Sequence, residues 1–62
     1  MRFQKGDRVS HHRNGFIGTV ISVKERGVAG SDVTWIEKVE VALDNGVVMF
    51  ESPDNFRLIE DE

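Results

Sequence analysis

The first part of the chain places glycines among β-forming residues. Residues 5–10 read KGDRVS, and residues 15–23 read GFIGTVISV. The second run is apolar on both faces and contains Gly18, which is typical of a strand that bends and exchanges the face that points inward. A chain of 62 residues has room for one domain, which buries only about 60% of its unfolded surface. These runs therefore predict one small all-β domain over residues 1–62.

The clearest signal for a hairpin is the segment Asp44, Asn45, Gly46, which β-forming residues flank on both sides. Asn-Gly favours a two-residue turn. With Asn45 and Gly46 at its centre, counting outward pairs Leu43 with Val48, Ala42 with Met49, Val41 with Phe50, and Glu40 with Glu51. Opposed side chains share a face. The predicted core face holds Val39, Val41, Leu43, Val48 and Phe50, and the predicted outer face holds Ala42, Val47 and Met49 beside Glu40 and Glu51.

The other segments complete a five-stranded prediction. Residues 7–12, 16–24, 34–43 and 57–60 have strand character, and residues 26–32 form a glycine-containing loop. Pro53 cannot donate to a strand ladder, so one short 3-10 turn is expected over residues 52–56. Five short strands with such a turn before the last predict a small β-barrel.

Composition excludes several kinds of site. Cysteine is absent, so neither disulfides nor thiolate metal sites are expected. His11 and His12 are adjacent on a strand and point to opposite faces, so they do not hold one metal ion together, and we interpret both as surface histidines. No metal and no cofactor are predicted. No leader and no long apolar run is visible, which favours a cytoplasmic protein without a membrane segment.

Charge is divided unevenly along the chain. Residues 1–26 carry six basic and two acidic side chains, whereas residues 27–62 carry two basic and nine acidic ones. Antiparallel pairing would neutralise much of this difference, but the basic half also offers a track for an anionic partner. The candidate anion or nucleic-acid contacts are Arg8, His11, His12, Arg13, Lys24 and Arg26.

The order of these motifs resembles that of the SH3-like barrels. The resemblance rests on residues 3–9, 18–20, 39–46 and 56–59, and it spans nearly the whole chain. It implies a five-stranded barrel. Type II plasmid dihydrofolate reductases are one such group, and their active strand corresponds to residues 47–50. Val48 and Phe50 stand where that family has a Gln and a Tyr, so the resemblance implies its architecture, with a ligand pore between subunits, but not its chemistry.

Two other groups of these barrels give different expectations. The opening also resembles the KOW-type barrels of ribosomal proteins and elongation factors, which implies nucleic-acid binding. Small interaction barrels, found as accessory subunits and as phage or mobile-element proteins, fit the acidic surface better. Aromatic residues and Met are enriched at the cores of interfaces. The predicted partner-binding residues are Trp35, Ala42, Val47 and Met49, with Trp35 partly buried.

The function predicted from the sequence is thus a non-enzymatic binding module. We expect it to associate with itself, with another protein, or with both. No serine has an acid-base partner at a recognisable spacing, so no catalytic residue is predicted. Nucleic-acid binding is the alternative, and a reductase-like oligomer that binds a small ligand is the second alternative.

Overall fold

A computed structural model describes residues 3–59 of the chain as one five-stranded antiparallel sheet. The elements are β1 (Arg8–His11), β2 (Ile17–Gly27), β3 (Thr34–Leu43), β4 (Val48–Glu51), a 3-10 turn (Pro53–Asn55) and β5 (Phe56–Leu58). The strand order is β4-β3-β2-β1-β5. The all-β prediction and the single 3-10 turn are confirmed. The sheet is open, because β4 and β5 are its two edges and do not pair with each other.

One face of the sheet carries the core, which is small and rich in valine. Its buried apolar residues are Val9, Val20, Val39, Val41, Leu43 and Phe56, and Phe3, Val23, Ile36, Met49 and Leu58 pack against them. Successive strand side chains point to opposite faces, and β3 follows this rule by burying Val39, Val41 and Leu43. Those three core predictions are confirmed. Val48 and Phe50 were also predicted inside, but each is about half exposed.

The long strand β2 changes its inward face along its length, as the sequence predicted. Gly18 and Val20 are buried, with Val20 opposite Val41. The register shifts between Val20 and Ser22, and beyond this bulge Val23 lies opposite Val39 and packs against the core. A bulge adds one residue to a strand and increases its twist. The extra residue at this bulge is Ile21, and a second register shift follows between Lys24 and Glu25.

The hairpin between β3 and β4 has a different register from the predicted one. Val41 lies opposite Met49, and Ala42 lies opposite Val48. The Leu43 amide donates to the Val47 carbonyl at 2.7 Å, so three residues form the loop instead of two. Gly46 has φ +94°, whereas every non-glycine residue from 3 to 59 has negative φ. A two-residue turn of the predicted kind needs positive φ at Asn45 as well, so this turn is the three-residue type with one left-handed glycine.

This slip of one residue exchanges the two faces of β4. Met49 points to the core, where it packs against the buried cluster. Val48 and Phe50 join Ala42 on the outer face. The predicted outer patch of Ala42, Val47 and Met49 is therefore wrong as a continuous surface.

Beyond the core, β2 and β3 continue as a projecting hairpin. β1 pairs only with residues 17–19 of β2, and β4 pairs only with residues 39–42 of β3. The far half of the hairpin closes through a loop of residues 28–33, and β2 extends to Gly27, three residues further than predicted. This projection contributes to a longest dimension of 41 Å. It also carries Trp35 away from the end of the sheet where β3 and β4 join.

Gly18 provides a test of how tightly β2 and β3 approach each other. A Cβ atom at this position would lie 2.6 Å from the Ala42 carbonyl oxygen and 2.9 Å from the Leu43 Cα, both of them backbone atoms. Gly18→Ala is therefore expected to lower the free energy of unfolding by ~2 kcal/mol, measured by denaturant titration. Gly27→Ala is the matched control in the same strand, because its nearest neighbours would be 3.2 Å away at the exposed tip. Equal losses for the two variants would contradict this packing.

Candidate binding groove

A polar contact across the core joins two strands that are not neighbours in the sheet. The ring of His11 on β1 is buried, with 5% of its surface exposed, and its Nε2 lies 3.1 Å from Glu51 Oε1 on β4. Its Nδ1 accepts a hydrogen bond from the Arg13 amide at 3.2 Å. Because Nδ1 is an acceptor, we assign the neutral tautomer with the proton on Nε2, which donates to Glu51. The expectation of a surface His11 is wrong, whereas His12, which follows β1, is exposed as expected.

Glu51 also anchors the 3-10 turn. Asn55 Nδ2 donates to Glu51 Oε1 at 2.8 Å, and the Asn55 carbonyl accepts from the His12 amide at 2.9 Å. These two bonds tie the turn to β4 on one side and to the end of β1 on the other. Phe56 follows at once and places its ring edge-on to His11, with the ring centroids 5.1 Å apart. The start of β5 is thereby fixed against the core.

The turn and β5 form one wall of a groove, and the projecting part of β3 forms the other. The groove has a volume of about 640 Å³. Most of its lining is apolar and comes from Phe3, Trp35, Ile36, Pro53, Phe56 and Leu58. Its polar residues are Thr34, His12, Asp54 and Arg57, all of which are exposed. The groove is thus an apolar channel with a rim of mixed charge.

Trp35 is the largest side chain in this groove. Partial burial was predicted for this side chain, and the structure leaves it 47% exposed, among the exposed apolar residues of the described chain. Its backbone is held in the hairpin opposite Arg26, and neighbouring Ile36 packs against the core. An aromatic ring that is anchored from its backbone but half open to solvent has apolar surface available for a partner.

The four predicted partner-binding residues do not lie together. Trp35 lines the groove, Ala42 lies on the outer face of the sheet, and exposed Val47 follows the β3–β4 turn. Met49 points into the core. Only Trp35 contributes to the groove described above.

Most of the predicted anion contacts are engaged by carboxylates. The Arg8 guanidinium contacts both oxygens of Asp44, at 2.9 and 2.7 Å, and this hydrogen bonding lowers the pKa of Asp44. Lys24 and Arg26 both face Glu37, at 3.8 and 3.1 Å. His11 is buried against Glu51. The basic residues of the first half therefore do not form one continuous track. His12 and Arg13 are both exposed. His12 lines the groove, and the charge of Arg13 helps to lower the pKa of Glu51.

Sequence reasoning missed the other wall of the groove. Pro53 was interpreted only as a strand breaker, and Phe3 and Leu58 were not singled out, yet all three line it with Trp35. Two features of the sequence could have indicated this site: Trp35, the single tryptophan, follows a glycine-containing loop, and Pro53 precedes the last strand. Nothing local shows that these segments meet, because 17 residues separate Trp35 from Pro53 along the chain.

The described part of the chain offers little for other kinds of site. Among residues 3–59, no three His, Asp or Glu side chains lie close enough to hold a metal ion. Within the same residues, no helix has the length and apolar character needed to cross a membrane.

Comparisons of the chain with protein-family models, with curated proteins and with solved structures gave no match.

Glu51 gives the contact between β1 and β4 a measurable pH dependence. Hydrogen bonds from His11, and next from Asn55, lower the pKa of Glu51 below its ordinary value of 4.5. A carboxyl with a lowered folded-state pKa stabilises the fold above its unfolded pKa, and that stabilisation is lost as the pH falls from about 4.5 through the folded-state value. Glu51→Gln keeps an oxygen for His11 but does not titrate. We expect its unfolding free energy to depend less on pH than that of the wild type between about pH 5 and 3.

The measurement is a series of denaturant titrations across this range, in which other carboxyls contribute equally to both proteins. Asp54→Asn is the control, since Asp54 is exposed on the neighbouring turn. Parallel pH curves for Glu51→Gln and the wild type would contradict the assigned contact.

Proposed function

We propose that this chain is a non-enzymatic binding module that holds an extended segment of another protein in the groove between β3 and the 3-10 turn. The observation that carries the proposal is the half-exposed ring of Trp35 in an apolar channel that also includes Pro53 and Leu58. Exposed aromatic surface of this kind is enriched at the energetic centres of protein interfaces. A partner that covers the groove would bury this ring together with the apolar residues beside it.

The lining favours a peptide over a small substrate. A small-molecule site places a few polar groups inside a largely enclosed cavity to fix the orientation of its ligand. Here the polar residues His12, Asp54 and Arg57 are exposed, and most of the lining is apolar. Such a channel fits an extended segment with apolar or proline residues against Trp35 and with polar groups near the rim. Proline-rich segments suit aromatic grooves because their extended conformation is already formed before binding.

The curvature of the sheet supports the proposal that the fold is an SH3-like barrel that is open between β4 and β5. β1 and β4 are three strand spacings apart, which is about 14 Å in a flat sheet. The side chains of His11 and Glu51 nevertheless meet at 3.1 Å. On the other face of β1, Arg8 reaches Asp44 in the β3–β4 turn. Strong coiling of the sheet accounts for the contact across the core.

The proposal also includes two predictions from the sequence, a cytoplasmic location and the lack of catalytic activity. The lack of cysteine is compatible with the reducing cytoplasm as the place where the module acts. Val48 and Phe50 stand where the type II reductases have a Gln and a Tyr, and both place apolar side chains on the outer face of the sheet. The absence of polar groups at these two positions supports a module without catalytic activity. Nucleic-acid binding is not proposed, because Arg8, Lys24 and Arg26 each face a carboxylate of the chain itself.

Trp35 is the only tryptophan of the chain, so its fluorescence reports directly on the groove. Peptides selected from a random display library against the protein are expected to shift the Trp35 emission to shorter wavelength, since binding removes the ring from water. Trp35→Ala is expected to weaken the same peptides at least ~10-fold, as is typical of a central aromatic residue. Calorimetric titration measures the affinity of this variant, which has no tryptophan signal.

Val33→Ala is the control, since Val33 is a more exposed apolar residue that precedes β3 and does not line the groove. It is expected to bind as the wild type does. Circular dichroism checks that both variants keep the β fold. Selected peptides that bind Trp35→Ala and the wild type equally well would overturn the groove as the binding site.

A further inference from the structure

The edge strand β4 has backbone groups that no other strand uses. In an antiparallel pair, residues alternate between those that bond to the neighbouring strand and those whose amide and carbonyl point away from it. The bond from Leu43 to Val47 fixes this alternation, so that Met49 bonds to Val41. Val48 and Phe50 then direct their amides and carbonyls to the open side of β4. Within residues 3–59, no strand lies on that side.

This edge has only some of the features that usually prevent strands from pairing: β4 is four residues long, and Glu51 at its end lies opposite buried Val39. Exposed edges are commonly protected by lysine, proline, a bulge or an inward-pointing charge. Residues 47–50 read VVMF and contain none of these, and β4 pairs with β3 in an unbroken register. Val48 and Phe50 are about half exposed on the outer face. The one charged residue of the strand, Glu51, stands at its end, where His11 and Asn55 contact its carboxylate.

The pattern of this strand is complementary to itself. If two β4 strands run antiparallel with Met49 opposite Met49, Val48 of each copy lies opposite Phe50 of the other. Both are edge-facing residues, so the two pairs form about four hydrogen bonds. Each Glu51 then lies opposite Val47 of the second copy and not opposite another glutamate. Like charges are kept apart, and apolar side chains meet on the outer face.

We propose that β4 is a pairing edge through which two copies of this chain form a dimer about a twofold axis at Met49, joining their sheets into one. A second copy is the favoured partner because one register does two things. It forms hydrogen bonds with the free amides and carbonyls of Val48 and Phe50, and it keeps the two Glu51 side chains apart. β4 does not line the groove beside Trp35. The dimer and the peptide groove are therefore independent, and either can fail without the other.

The first test is the mass of the wild-type protein, by sedimentation from about 1 μM to 1 mM, together with amide hydrogen exchange at both ends of that range. A reversible increase from the 7.0 kDa monomer to the dimer is expected. The Val48 and Phe50 amides should exchange rapidly when dilute and slowly when concentrated, whereas the Met49 amide is protected in both. A monomer throughout, or a dimer whose Val48 and Phe50 amides stay unprotected, would overturn the proposal.

Two variants test the register. Val48→Lys places a charge at the edge and is expected to raise the dimer dissociation constant at least ~10-fold. Phe50→Pro removes an amide that the monomer does not use and is expected to abolish the dimer. Val33→Lys, at a residue with 64% exposure away from β4, is the control and should leave the dissociation constant unchanged. A dimer that survives both edge variants would contradict pairing through β4. If a variant does not fold, the amide exchange of Val48 and Phe50 in the wild type tests the same pairing.

Discussion

The hydrogen bond between His11 and Glu51 holds in place the elements that form one wall of the groove. It joins β1 to β4 across the core, and Glu51 in turn holds Asn55, so the 3-10 turn is fixed by the same carboxylate. Burying a polar ring is unfavourable unless its nitrogens are hydrogen-bonded, and both nitrogens of His11 have partners. Phe56 packs against this ring and continues the turn into β5. The wall of the groove opposite Trp35 therefore depends on a polar pair inside an otherwise valine-rich core.

The β3–β4 turn shows how closely sequence reasoning approached the fold and where it failed. The bounds of β3 were predicted correctly, and so was the need for a left-handed glycine at position 46. However, the segment Asp44-Asn45-Gly46 fits a two-residue loop of 45–46 as well as a three-residue loop of 44–46, because glycine is the final loop residue in both types. The Asn45 side chain accepts from the Val47 amide at 2.9 Å, a contact compatible with the longer loop. Because the loop is one residue longer than predicted, Met49 faces the core, and Val48 and Phe50 lie on the outer face.

The groove and the role of His11 could not be predicted in the same way. Alternation along a strand shows which residues share a face, and this was sufficient for Val39, Val41 and Leu43. It does not show how strongly a sheet coils, and coiling is what brings His11 to Glu51 and β5 toward Trp35. Two adjacent histidines on a short polar strand gave no sign that one of them would be buried. Its partner lies 40 positions away.

The small size of the core has a thermodynamic consequence for any molecule that binds. Its fully buried side chains are four valines, and a domain of about 60 residues unfolds with an enthalpy of only about 40 kcal/mol. Thermal unfolding is then a broad transition, and its midpoint moves by up to roughly 8 °C for each kcal/mol of added stability. A ligand present at about a hundred times its dissociation constant adds about 2.7 kcal/mol. Occupancy of this domain thus changes its heat resistance far more than it would in a larger protein.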